Sequence, residues 1–89
     1  MISATKALAA LAILVSTPAV AVDLVNRDRV EREAVVNTND GQSNVITLKA
    51  GERVANVCTA CVILVGDTSV EVTGREVAVI QGGKVTAGR

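Results

Sequence analysis

The sequence predicts an all-β domain, a small antiparallel sandwich or barrel of seven or eight short strands. Three observations carry that expectation. Past residue 21 the chain is dominated by side chains branched at Cβ, with fifteen Val, three Ile and six Thr. Branching restricts χ1 and suits a pleated surface better than a helix. Gly and Asn/Asp punctuate this part every few residues, and it contains no proline, since Pro18 is the only one. Apolar and polar residues alternate between the turns, as a half-buried strand requires.

The N-terminal segment is expected to stand apart. Met1 to Ala21 has the form of a secretory signal peptide. Lys6 supplies the positive start, Ala7 to Val15 is an unbroken apolar run, and Ala19-Val20-Ala21 is a small-residue cleavage site after Pro18. The run is too short for a membrane span, which needs roughly 20 residues. Residues 1–21 are therefore expected to be removed and residues 22–89 to fold as one domain, periplasmic or secreted. No later segment is apolar for long enough to cross a membrane.

The elements follow in order. Leu24 to Asn26 is expected as a first strand. Arg27 to Glu33 carries charges that mostly alternate in sign and reads as a solvated loop, with a helical turn as the alternative. Ala34 to Thr38 and Ser43 to Leu48 are strands around Asn39-Asp40-Gly41, a turn that tolerates positive φ. Ile46 and Leu48 should share one face, Val45 and Thr47 the other. Lys49 to Glu52 turns the chain. Arg53 to Cys58 and then Cys61 or Val62 to Val65 are the next strands, separated by a tight turn, and the apolar run of the latter predicts burial on both faces. Beyond the Gly66-Asp67 turn, Val70 and Val72 should point inward and Glu71 outward. Val77 and Val79 read as another inward pair. Ile80 to Val85 should close as a hairpin around Gly82-Gly83.

Composition excludes more chemistry than it suggests. There is no His, Phe, Tyr or Trp, and Lys plus Arg (9) balance Asp plus Glu (9). Without His neither a Ser-His-Asp nor a Cys-His arrangement can form. The neutral balance gives no electrostatic reason to expect nucleic acid, and the lack of aromatics removes base-stacking platforms. No phosphate-binding loop is present. Asn37 to Gly41 has the wrong ligand spacing for a calcium loop. The chain is read as a non-enzyme without a cofactor, partnered by an envelope protein or by its own copies.

The candidate site is Cys58-Thr59-Ala60-Cys61, the only cysteine pair. In an exported domain of this size a structural disulfide is the first expectation. A domain near this length is marginally stable, so a staple helps. A redox-active pair is the alternative, although Val57, Thr59, Ala60 and Val62 offer no charge to stabilise a thiolate. Two thiolates also make half a zinc site or a two-coordinate copper(I) site, with no His to complete the former.

In the phrases Val25-Asn26-x-Asp28, Leu48-x-x-Gly51-Glu52, Cys58-x-x-Cys61-x-Ile63 and Ile80-x-Gly82-Gly83-Lys84-Val85, the chain resembles small exported bacterial β-proteins. The resemblance implies an exported β-domain and names neither an activity nor functional residues.

Overall fold

The structure, a computed structural model, describes residues 21–88. Among these there are eight strands and no helix: β1 (Val22–Asn26), β2 (Arg32–Thr38), β3 (Ser43–Leu48), β4 (Arg53–Cys58), β5 (Ala60–Val65), β6 (Thr68–Thr73), β7 (Val77–Gln81) and β8 (Lys84–Gly88). They form two four-stranded sheets, ordered β4-β1-β7-β8 and β3-β2-β5-β6. The all-β expectation holds, and the architecture is a sandwich of two sheets.

The sheets are not wholly antiparallel. β1 lies parallel to β7, with Asp23 opposite Val77 and Asn26 opposite Ile80. Parallel partners cannot be joined by a tight turn, and here the intervening strands make the long connection. Three hairpins remain local: β2–β3, β5–β6 and β7–β8. Each has the turn its sequence predicts. Thr38 N–H donates to the Gln42 carbonyl at 2.9 Å, closing a three-residue loop with Gly41 at φ 89°. Gly82 and Gly83, at φ 64° and 73°, both occupy the left-handed region that the tightest two-residue hairpin needs.

The other connections carry the chain between sheets. The Arg27–Glu31 segment is a loop, as expected, with no helical turn. Arg32 and Glu33, read as its end, belong to β2. The Lys49–Glu52 turn leads from the outermost strand of one sheet, β3, to the outermost strand of the other, β4.

The core lies between the sheets. Val22, Leu24, Ala78 and Ile80 project from one side, Val36, Leu48, Ile63 and Val72 from the other, all at most 1% exposed. Burying each of the Val, Leu and Ile side chains among them contributes about 1.5–3 kcal/mol. Two face assignments differ from the sequence reading. In β7 it is Ala78 and Ile80 that point inward, and Val77 and Val79 face out, half-buried. In β5 burial alternates rather than covering both faces. Cys61, Ile63 and Val65 are buried, while Val62 and Leu64 are half-exposed on the outer surface. The remaining assignments match: Leu48 faces in, Val45 is exposed, and Glu71 is exposed.

Candidate functional site

The two cysteines join the sheets at one corner. Cys58 ends β4 in the first sheet and Cys61 lies in β5 of the second, with only Thr59 between the strands. The tight turn between strands was foreseen, but β4 and β5 are not hairpin partners. They lie in different sheets, and the chain steps across the sandwich at Thr59. Cys58 and Cys61 are linked by a disulfide, with their Cα atoms 6.1 Å apart. Cys61 is 2% exposed and part of the core, and Cys58 is half-buried beside it. The Gly74 N–H donates to the Thr59 carbonyl at 3.0 Å, which ties the β6–β7 turn to the same corner.

A shallow surface depression of about 380 Å³ opens beside Cys58. Its lining is Thr38, Asn39, Asp40 and Gln42 of the β2–β3 hairpin, with Thr59 and Ala60. The one ionisable group there is Asp40. The Thr38 hydroxyl, and secondarily the Gln42 and Asp40 N–H groups, hold its carboxyl below the usual carboxylate range. An anion raises the cost of a neighbouring thiolate. Among the described residues no group of three or more His, Cys, Asp or Glu is placed to hold a metal ion.

No protein family, curated protein or solved structure matches this chain. Its chemistry has to be judged from its own geometry.

Two polar constellations at the opposite end of the sandwich were not anticipated. Asn26, at the end of β1, is completely buried. Its Nδ2 donates to the carbonyls of Val30 (2.9 Å), Leu48 (3.2 Å) and Lys49 (3.1 Å), and its Oδ1 accepts the Asp28 N–H at 3.0 Å. One amide thereby fixes both connections that cross between sheets at that end. Asp28 lies in the charged stretch read as solvated, and works as a clamp. Its carboxylate accepts the N–H groups of Gly82 (2.6 Å) and Gly83 (2.9 Å), and Arg32 Nε at 2.8 Å. The Gly83 and Gly82 N–H groups, aided by Arg32 and opposed by burial, hold its carboxyl below the ordinary value.

A third device sits on β4. Three residues, Ala55 to Val57, stand opposite the single Asp23, because Leu24 faces Val54 and Val22 faces Cys58. Asn56 takes the left-handed conformation, at φ 60°. Its N–H donates to Asp23 Oδ1 at 3.1 Å, while Arg53 Nη2 donates to Asp23 Oδ2 at 2.7 Å. Arg53 and then the Asn56 N–H lower the Asp23 carboxyl against the opposing effect of burial. These contacts tie Asp23 and Asp28 to backbone groups and to Arg53 and Arg32.

Of the residues marked in the sequence, Ala19 lies outside the described residues, as does the rest of the signal segment up to Val20. Ala21 is half-buried and immediately precedes β1.

Proposed function

We propose that residues 22–89 form a non-catalytic binding or structural module of the bacterial periplasm. The observation that supports it most is the position of the cysteine pair. A disulfide joining two sheets, with one sulfur-bearing residue in the core, is placed as a staple, and a disulfide is suited to an oxidising compartment. Asn26, Asp28 and Asp23 spend their polar atoms on holding backbone in place, and the outer surfaces and sheet edges are the parts offered for binding. Cleavage after Ala21 leaves β1 whole, since the strand begins at Val22.

A thiol-exchange role is the second reading, favoured by the depression beside half-buried Cys58. The groove offers Asp40 and no cation, the wrong sign for an activated thiolate.

The test has two parts. The intact mass of protein recovered from the periplasm should start at Val22 and be light by two hydrogens, with no alkylation before reduction. Purified protein should show no insulin-reducing activity, and crosslinked envelope extract should yield a complex. Free thiols with reductase activity would overturn the proposal in favour of thiol exchange.

A further inference from the structure

A sandwich has four outer strands, and three of these carry a device against further pairing. β4 is bulged at Asn56 and bears the Arg53–Asp23 ion pair. The edges of β6 and β8 face each other, and the outward N–H of Val85 is taken by Thr68 Oγ1 at 3.0 Å. β3 has none. From Ser43 to Leu48 it holds no charge, no proline and no glycine, and its pairing with β2 is unbroken from end to end. Natural sheets blunt edges with charge, proline or bulges, so a bare edge marks a pairing site.

The direction of its backbone groups can be worked out. Thr38 N–H bonds the Gln42 carbonyl, so bonded and non-bonded pairs alternate from there. Asn44, Ile46 and Leu48 exchange hydrogen bonds with β2. Ser43, Val45 and Thr47 turn their N–H and C=O groups to the open edge. Val45, in the middle, is 61% exposed.

We propose that β3 pairs antiparallel with β3 of a second copy of this chain, with Val45 opposite Val45 across a two-fold axis. This names the partner of the binding module proposed above and rests on that reading. In this register all three outward residues on each chain meet outward residues on the other: Val45 with Val45, and Ser43 with Thr47 twice. The Ser–Thr pairs set hydroxyls side by side, a favourable cross-strand combination. The charges at the strand ends select the direction and the partner. Asp40 precedes β3 and Lys49 follows it, so antiparallel self-pairing brings Asp40 of each copy beside Lys49 of the other. The result is one continuous eight-stranded sheet.

The test is the oligomeric state of the purified protein by light scattering, followed to about 1 mM because an edge contact is small. The wild type should approach twice the monomer mass. Val45→Lys should remain monomeric over the whole range, since it sets like charges directly opposite. Its circular dichroism should be unchanged, because residue 45 is exposed in the single copy. The register has its own check. Val45→Cys should crosslink to itself on oxidation, while Thr47→Cys, whose counterpart lies four residues along, about 13 Å away, should not. A monomeric wild type, a dimer that survives Val45→Lys, or equal crosslinking of the two cysteines would overturn the proposal. The failures can be told apart. A monomer whose photo-crosslinker at position 45 captures a different envelope protein overturns the second copy and keeps the binding role. A monomer with no capture overturns both.

Discussion

Replacing Asn26 with leucine removes one amide and keeps the number and branching of the side-chain heavy atoms. The change strands the Val30 carbonyl and the Asp28 N–H, for which Asn26 is the partner. The Leu48 and Lys49 carbonyls lose one bond but keep others, since Leu48 stands opposite Arg32 in the sheet and the Glu52 N–H donates to Lys49. Two stranded, partly buried groups cost about 1–1.5 kcal/mol each, and two lost secondary bonds about 0.5 kcal/mol each. The added apolar contact offsets about 1 kcal/mol, leaving a net loss of about 2–3 kcal/mol. Stability for a domain this small is about 5 kcal/mol, so about half of it disappears. The assay is urea unfolding followed by far-ultraviolet circular dichroism, because the chain has no Trp or Tyr to report by fluorescence. With a slope near 1 kcal/mol per molar, the midpoint should fall by about 2–3 M. Asn37→Ala, at an exposed position of β2, should move it by less than about 0.5 M. A fall below about 1 M for Asn26→Leu would refute the assignment of Asn26 as the joint between the sheet crossings.

Three further outcomes are expected. Cys58→Ser/Cys61→Ser opens a four-residue ring and should lose about 2 kcal/mol, read as a lower urea midpoint, with no change in insulin-reducing activity or metal content. Asn56→Val forces a β-branched residue into the left-handed region and should cost about 1–2 kcal/mol, whereas Asn56→Gly should change the thermal midpoint little. The lowered carboxyls of Asp23, Asp28 and Asp40 stabilise the fold above the ordinary carboxylate value, about 3.9, and that contribution is lost as pH falls through the depressed folded values. Urea midpoints should thus be flat from pH 7 to about 5 and drop at lower pH, and Asp28→Asn should flatten the drop.

The strands and most turns were legible because they depend on local chemistry: Gly at positive φ, branched residues between turns, charge on the outer face. The errors occur where local chemistry is silent. Val77-Ala78-Val79-Ile80 is apolar at every position, so alternation gives no parity, and the two valines look like the better core. Partnership with β1, through Ala78 opposite Leu24, decides it instead. The parallel pairing has no turn to announce it. Cys58-x-x-Cys61 resembles a hairpin turn, and nothing in its four residues shows that the strands on either side enter different sheets. Asp28 sits among charges of both signs. Its partners, Gly82 and Gly83, are 54 and 55 residues away, so the clamp exists only once both ends of the chain have met. At the candidate site the cysteine pair could be named from sequence. The buried Asn26 could not, because a polar residue closing an apolar strand is ordinarily the start of a loop.

The parallel contact between β1 and β7 sets an order of events for the growing chain. β1 is an inner strand of its sheet, and one of its two neighbours is made of residues 77–81. Until those residues are free to fold, the first strand has an open side and half of the sandwich has no centre. The hairpins of the other sheet can close early, but the sandwich cannot. A chain still tethered at residue 76 is therefore committed to remain incomplete. The strand at residues 22–26 waits for the strand at residues 77–81, a delay set by the long stretch of sequence that separates the two partners.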